Sequence, residues 1–325
     1  MPDAALNPSR IGLISNRNSG HNRDQLGAIS ALIDRCPAVL HTITDQAEDV
    51  GPALVAMAAA NIEVLAVNGG DGTISALLGH LLENPVFDRM PQIILLPGGT
   101  ANMNAGDIGA SGKLPAAIER FCAWTQSCDA PAPISRHLMR VQLTPDQPPH
   151  YGMFLGLGTV IQGTEYAHEE IHSRGLRDDF SVALGVARTA WGVFRHDPKF
   201  ARPVPLKFDA DNSGNQEHQA LVMVISSLQQ LFLGMQPFWG EQQAPLRYTI
   251  IDVNPVKFPS TFISILRGKA NRNATPENGY HSANCTTLNL FLDGHINLDG
   301  EILEVSRANG PIQIAATPAF EFIRL

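Results

Sequence analysis

Two glycine-rich turns carry the residue types best suited to holding a phosphate group. Gly69-Gly70-Asp71-Gly72-Thr73 and Pro97-Gly98-Gly99-Thr100-Ala101-Asn102 each follow a short apolar run, at 62–67 and 93–96. Such runs, bounded by turn residues, are typical of buried parallel strands. Glycine lets main-chain N–H groups approach a ligand, and open parallel sheets bind ligands beyond the carboxyl ends of their strands. The two turns together predict one phosphate site, with a nucleotide as the expected ligand.

Three acidic residues are candidates for proton transfer. Asp71 lies between glycines, where a carboxylate could bind Mg²⁺ or accept a proton from a hydroxyl. An Asx-type turn or a helix cap is the alternative interpretation of Asp71. Asp299 and Glu301 flank Gly300, and these residues by themselves predict a hairpin turn. The residue pattern alone does not decide whether Asp71 is catalytic or a cap, or whether Asp299 and Glu301 are catalytic or only form a turn.

The elements that position the first turns alternate between strand and helix. Apolar patterns predict strands at 11–15, 39–43, 62–67 and 93–96, and helices at 24–35, 47–60, 73–82 and 113–126. This alternation predicts a Rossmann-like parallel sheet with helices on both faces. The Pro-rich stretch Ala130-Pro131-Ala132-Pro133 then indicates a domain boundary. We expect domains at 1–130 and 131–325, with the extreme C-terminus as a segment that could return to the first.

The second half has the pattern of a mostly antiparallel, β-rich domain. Hairpin signals occur at Asp209-Ala210-Asp211-Asn212-Ser213-Gly214 and at Asp293-Gly294. The apolar stretches 182–194 and 228–239 could line an acyl channel or touch a bilayer, and a core helix and a core strand explain them equally well. Strands are predicted at 136–143, 150–155, 204–209, 219–226, 247–253 and 286–292, and helices at 165–173, 182–194 and 255–266.

Composition excludes several classes of protein. The 325-residue chain is 44% hydrophobic and 17% charged with a net charge of -8, which is typical of a soluble globular protein and argues against nucleic acid as a partner. No stretch approaches the roughly 18 apolar residues of a spanning helix, and no signal peptide begins the chain. We therefore expect a cytoplasmic protein. Four cysteines without CxxC or metal spacing predict reduced thiols.

Read in order, the motifs resemble the diacylglycerol kinase catalytic family, which includes sphingosine, ceramide and bacterial lipid kinases. Asn16-Arg17-Asn18-Ser19-Gly20 follows the first strand, the two glycine-rich turns follow the third and fourth, and Asp299-Gly300-Glu301 lies near the end. Gly156-Leu157-Gly158-Thr159 is similar to a second-domain segment of the bacterial branch. The similarity extends over nearly the whole chain.

The resemblance implies an ATP- and Mg²⁺-dependent lipid kinase. Its α/β domain would bind ATP, its β-sandwich domain would bind the lipid, and the active site would lie in the cleft between them. A lipid acceptor implies peripheral association with a membrane surface. By position in the family's motifs, Glu301 is the first choice for general base and Asp71 the second. Asp299 is the third candidate catalytic residue. The implied ATP-binding residues are Asn16, Ser19, Gly20, Thr44, Gly69, Gly70, Asp71, Gly72, Thr73, Gly98, Gly99, Thr100 and Asn102.

The chain departs from the family pattern at several positions. Arg17 replaces a usual proline, Ser75-Ala76 replaces Asn-Glu, and Met103 stands where Asp commonly follows Asn102. The acidic group expected near 241–246, often linked to a structural Mg²⁺, is missing, so no metal ligand is assigned. These departures favour an alternative, a nucleotide- or lipid-binding regulator with impaired catalysis. Neither the acceptor lipid nor the oligomeric state follows from the residues.

A third hypothesis comes from His168-Glu169-Glu170-Ile171-His172, which fits the zinc-protease pattern HExxH. Two histidines at this spacing share one helical face and can bind zinc, with the glutamate as base. The flanking residues are polar and no third ligand is evident, so an exposed polar helix explains the segment better.

Overall fold

The chain passes between two structural units and returns to the first at its end. The computed structural model describes residues 10–36, 38–110, 112–127, 131–161 and 202–325. One unit comprises Met1–Arg136 together with Ala319–Leu325, and the other comprises His137–Pro318. The predicted HExxH segment and the predicted helices at 165–173 and 182–194 lie outside the described residues.

The first unit is built from alternating strands and helices. Apolar side chains fill both sides of the central strands, and β3 is buried along its whole length. Its strands are β1 (Ile11–Asn16), β2 (Val39–Thr44), β3 (Val64–Gly69) and β4 (Gln92–Pro97), and its helices are α1 (Asn22–Ile33), α2 (Val50–Ala59), α3 (Asp71–Glu83), α4 (Met103–Ile108) and α5 (Leu114–Thr125).

These strands form a parallel sheet in the order β2-β1-β3-β4. The sequence order reverses between β1 and β3, which is the position where doubly wound sheets open a crevice for ligands. Core residues from the strands pack against α1 and α5. Phe121, on α5, is fully buried in this core. The C-terminal residues join this core, because Phe322 pairs with Ile93 in parallel and Ile323 is buried.

The second unit is an antiparallel β structure. β9 is central, since β7, β8 and β10 all pair with it. Its elements are β5 (Ile134–Gln142, which begins in the first unit), β6 (His150–Gly152), β7 (Phe154–Gly158), β8 (Val204–Ala210), β9 (Gln216–Ser226), β10 (Leu246–Asp252), α6 (Phe258–Leu266), β11 (Tyr280–Cys285), β12 (Thr287–Phe291), β13 (Gly294–Leu298), β14 (Glu301–Val305) and β15 (Ile312–Phe322).

The structure confirms the predicted fold class, a parallel α/β part followed by an antiparallel β-rich part. The hairpin predicted at Asp293-Gly294 is wrong, because β12 pairs with β8 and β15 while β13 pairs with β7 and β14. The core strand considered at 228–239 is also wrong. That segment contains a 3₁₀ turn at Phe232–Gly234, where Leu233 has φ 55° and is exposed.

Two further observations bear on the sequence predictions. Cys36 and Cys122 form a disulfide between the end of α1 and α5, so the expectation of reduced thiols is wrong for this pair. Spacing along the chain could not reveal this bond, because 86 residues separate the two cysteines. Among the described residues, none of the helices is long and apolar enough to cross a membrane.

Candidate active site

The predicted site residues of the first unit lie along one edge of the parallel sheet. Asn16 is in register with Thr44, and Gly69 is in register with Pro97, so the carboxyl ends of all four strands lie side by side. The turns that follow β1 and β3 flank the point where strand order reverses. The sheet topology therefore brings the three N-terminal motifs and Thr44 to one edge.

The three glycine-containing turns pack against one another through their backbones. A Cβ on Gly99 would lie 2.3 Å from the Cα of Gly70, and a Cβ on Gly20 would lie 2.5 Å from Oγ1 of Thr100. A Cβ on Gly98 would lie 2.9 Å from the backbone nitrogen of Gly69. Glycine is required at these positions because side chains would push the turns apart.

Side chains of the first turn connect it to the turn after β3. Nδ2 of Asn16 donates to Oγ1 of Thr73 at 2.8 Å, and the backbone N–H of Gly70 donates to Oγ of Ser19 at 3.2 Å. The hydroxyls of Ser19 and Thr73 lie 3.3 Å apart. Asn16, Ser19 and Thr73 thus form one polar cluster at the N-terminus of α3.

The predicted amide cradle is smaller than the motifs suggest. Within the protein, the N–H of Gly98 donates to the carbonyl of Leu96 at 2.8 Å, and that of Gly99 donates to Oδ1 of Asn102 at 2.7 Å. Asn102 adopts a left-handed conformation with φ 47° and returns a bond from Nδ2 to the Gly99 carbonyl. These N–H groups shape the turn, and they are not directed at a ligand.

The first turn of α3 remains as the anion-binding element. The N–H groups of Gly72 and Thr73 belong to the helical turn that has no intrahelical acceptors. Gly72 is exposed, and a Cβ there would meet no atom within 4 Å. A helix N-terminus favours negative charge through its dipole and its N–H groups. The residues present therefore fit a nucleotide phosphate at this end of α3.

Asp71 joins the two glycine-rich motifs. Its carboxylate accepts backbone hydrogen bonds from Asn104 at 2.9 Å and Met103 at 3.0 Å, at the N-terminus of α4. Burial raises the pKa of Asp71, and the two backbone hydrogen bonds oppose that rise. Each carboxylate oxygen accepts one backbone N–H, so the geometry favours the helix-cap interpretation of Asp71.

Two buried asparagines that sequence reasoning missed connect the ends of β1 and β3. Nδ2 of Asn22 donates to the carbonyls of Asn16 at 2.7 Å and Asn68 at 3.1 Å. Nδ2 of Asn68 donates to Oγ of Ser15 at 3.2 Å. Among the described residues, both Oδ1 atoms are buried without a hydrogen-bond partner. An asparagine at the end of the apolar run before Gly69 is a signal that could have been noticed.

The remaining residues predicted for the first turn region face different surroundings. Thr44 is 3% exposed, and its hydroxyl makes a long 3.5 Å contact to the Ser15 carbonyl. Arg17 is exposed and pairs at 3.0 Å with Asp45, which lies in the turn after β2. Thr100 is exposed at the tip of the turn after β4.

Asp299 and Glu301 occupy the β13–β14 hairpin in the second unit. Asp299 has φ 47° and Gly300 has φ 96°, as a type I′ turn requires. The Asp299 carboxylate accepts the backbone N–H of Phe154 at 2.9 Å and of Met153 at 3.0 Å. Glu301 pairs with Leu298 through the β13–β14 ladder, but it is exposed and its side chain has no hydrogen-bond or ion-pair partner among the described residues. The hairpin thus holds Asp299 in a structural role and leaves Glu301 available.

Comparisons with known proteins agree with this geometry. Two proteins from Bacillus anthracis str. Sterne share the fold. One is named a "putative diacylglycerol kinase" and has a TM-score of 0.69 at 15% identity, covering 99% of this chain and 98% of its own. The other, named a diacylglycerol kinase, has a TM-score of 0.62 at 15% identity, covering 97% and 96%.

Sequence comparison gives a more specific result for the N-terminal part. No curated protein sequence matches the chain. Residues 10–129 match the family model of the diacylglycerol kinase catalytic domain. The resemblance drawn from the motifs is therefore confirmed for residues 10–129.

Proposed function

We propose that this protein is an ATP-dependent lipid kinase that transfers the γ-phosphate of ATP to a lipid hydroxyl, on a diacylglycerol-like or a sphingoid or ceramide-like acceptor. The observation that carries the proposal is the packing of three turns against the N-terminus of α3. Gly72 and Thr73 offer N–H groups there, and Ser19 and Thr73 offer hydroxyls. Phosphoryl transfer asks a protein mainly to position phosphates and to offset their charge.

Each proposed residue has a distinct task in this reaction. The N-terminus of α3 holds phosphate oxygens, while the glycines and Asp71 keep the turns in place. Glu301 accepts the proton of the lipid hydroxyl as its oxygen attacks the γ-phosphorus and ADP departs. Mg²⁺, bound with the nucleotide, would neutralise charge on the phosphate oxygens. The hydroxyl cluster is positioned by the hydrogen bonds of Asn16 and Ser19. The turn after β4 is positioned by the hydrogen bonds of Asn102.

Radiolabelled ATP tests the transfer directly. Purified protein is incubated with Mg-ATP and a panel of diacylglycerol, sphingoid and ceramide lipids, and the organic phase is separated by chromatography. We expect label in one phosphorylated lipid class. Measurable ATP affinity with no labelled lipid would contradict the kinase proposal and favour the impaired-regulator alternative, which the substitutions at Ser75, Ala76 and Met103 motivate.

A lipid acceptor also requires a membrane contact, and one surface of the second unit suits it. We define the α6 surface as exposed Ile263, Val256 and Leu233 with the basic residues around them. The turn that carries Leu233 adjoins α6, because the N–H of Gln236 donates to the carbonyl of Leu266 at 3.0 Å. The basic residues are Lys257, Arg267, Lys269 and Arg272, all exposed.

Charge complementarity favours an anionic bilayer as the ligand of the α6 surface. The chain has a net charge of -8, yet residues 254–276 contain four basic residues and no acidic one. A short helix with apolar side chains outward and basic flanks lies in the plane of a membrane interface. Each basic residue near an anionic surface contributes about 1 kcal/mol to binding.

Vesicle sedimentation tests the α6 surface. Arg267→Glu/Lys269→Glu should weaken binding to phosphatidylglycerol vesicles by at least about tenfold, since it reverses two charges. The matched control Arg89→Glu/Lys113→Glu makes the same charge change at exposed positions of the first unit and should leave binding nearly unchanged. Equal losses in both variants would refute the assigned surface, and so would wild-type binding that does not depend on anionic lipid.

A further inference from the structure

Three potential metal ligands meet on neighbouring strands of the second unit. Oδ2 of Asp252, at the end of β10, lies 3.0 Å from Nδ1 of His218 on β9 and 3.0 Å from Nε2 of His281 on β11. The ligand atoms of the three residues all lie within 4.8 Å of one another. None of these residues belongs to the motifs that suggest a kinase.

A β-bulge brings the three side chains to one face. β9 and β10 pair Ile251 with Val222 and then Asp252 with Ala220, so Leu221 is an extra residue on β9. A shift of one residue turns every following side chain to the opposite face of a strand. Without the bulge, His218 would face away from Asp252.

Packing fixes the orientation of the histidine rings. The ring of Phe208 stacks on His218 with centroids 5.6 Å apart, and the rings of His218 and His281 meet edge to face at 4.6 Å. The side chains of His218, Asp252 and His281 are 8%, 23% and 24% exposed. The cluster is thus held by the core on one side and open to solvent on the other.

We propose that His218, Asp252 and His281 form a binding site for a borderline transition-metal ion, with Zn²⁺ as the best fit. Imidazole nitrogens suit zinc and its neighbours in the first row, whereas Mg²⁺ prefers a shell of oxygens. Zinc lies about 2.0–2.2 Å from nitrogen and carboxylate ligands, which in a tetrahedral shell places adjacent ligand atoms roughly 3.3–3.6 Å apart, so the Asp252 oxygen and each histidine nitrogen need to move apart by only a few tenths of an ångström. Two protein nitrogens and one carboxylate leave a coordination position for water.

Zinc titration of the metal-free full-length protein tests the site. Protein freed of metal by a chelator should take up one Zn²⁺ per chain, measured by calorimetry and by elemental analysis after gel filtration. His281→Gln and Asp252→Asn should each lower the affinity by at least about 100-fold, since loss of a mere supporting residue already costs 10–100-fold. Circular dichroism verifies that both variants fold.

Two controls separate this site from other histidines. His295→Gln, at an exposed position on β13, should bind zinc as the wild type does. His168→Ala/His172→Ala removes the HExxH pattern and should also retain one zinc. The proposal is overturned if the wild type retains no zinc, if His281→Gln and Asp252→Asn bind it unchanged, or if the HExxH variant alone loses it.

Spectroscopy adds a readout that a merely structural triad would not give. Co²⁺ in place of zinc should produce visible d–d bands that disappear in His281→Gln. Bound Co²⁺ with only the weak d–d bands of a six-coordinate ion, equal in the wild type and in His281→Gln, would contradict coordination by this site.

Discussion

Asp71 in the first unit and Asp299 in the second occupy equivalent local arrangements. Each lies beside a glycine in a motif, and each carboxylate accepts two backbone N–H groups, at 2.9 and 3.0 Å. Asp71 holds the N-terminus of α4, and Asp299 holds the junction of β6 and β7. Glu301, two residues beyond Asp299, is exposed and has no such duty. The difference teaches that an acidic residue in a glycine turn can serve the fold, while the carboxylate two residues beyond it stays exposed.

Glu301→Gln should produce the largest effect on turnover. If Glu301 is the general base, the loss of its proton-accepting oxygen lowers kcat by about 100- to 10,000-fold. Because the Glu301 side chain has no hydrogen-bond or ion-pair partner among the described residues, the urea midpoint should not change. Kinase assays and urea denaturation of the same preparation measure both. Full turnover in this variant would refute Glu301 as the general base and leave Asp71, the second choice, as the candidate.

Gly99→Ala should produce the largest loss of stability. A Cβ there collides with the Gly70 backbone, and such overpacking costs about 1–3 kcal/mol. Displacement of the turns should also weaken ATP binding, which fluorescence titration measures. Gly27→Ala is the matched control, because a Cβ in the middle of α1 meets no atom within 4 Å and should stabilise the protein by about 0.5–1 kcal/mol.

Asp71→Asn and Asp299→Asn compare the two carboxylates directly. Each change places an amide NH₂ group against a backbone donor, so a buried N–H loses its acceptor at a cost of about 1–3 kcal/mol. The cost should be greater at Asp71, which is 8% exposed. Urea denaturation measures both. A loss of kinase activity with no loss of stability in Asp71→Asn would contradict the structural role.

The pH dependence of the Asp71 variant should give the smallest of these effects. Burial raises the pKa of Asp71 in the folded protein, so the protonated form is favoured there. The stability that Asp71 contributes relative to asparagine is therefore fully present below its ordinary pKa of about 4 and falls as pH rises through the raised value. Urea denaturation of the wild type and of Asp71→Asn at several pH values measures the two free energies of unfolding. The difference between these free energies should become smaller as pH rises.

The sequence predicted the first unit well because its signals are local. The apolar runs before Gly69 and Gly98, and the alternation with helices, identify β3, β4 and the sheet class without any knowledge of distant contacts. The packing of Gly70 on Gly99 also followed, since parallel strands end at the same edge. The motifs could not predict which acceptor each backbone N–H of the turns binds. The Gly99 N–H, for example, binds the side chain of Asn102, and that contact depends on the left-handed conformation of Asn102.

The features that were missed depend on contacts between distant residues. Asp299 lies 145 residues from Phe154, and His218 lies 34 residues from Asp252. The bulge at Leu221 is visible only once β9 and β10 are paired. Asp293-Gly294 predicted a hairpin because both residue types favour turns. The turn does join β12 to β13, but these two strands pair with other strands and not with each other.

The return of Ala319–Leu325 to the first unit has a consequence for biosynthesis. Ile323 is 1% exposed in the core of that unit, and its N–H donates to the carbonyl of Ile93. A nascent chain usually folds from its N-terminal domain onward. Here residues 319–325 must leave the ribosome before the first unit can complete its core, so that unit cannot finish folding until the whole second unit has been synthesised.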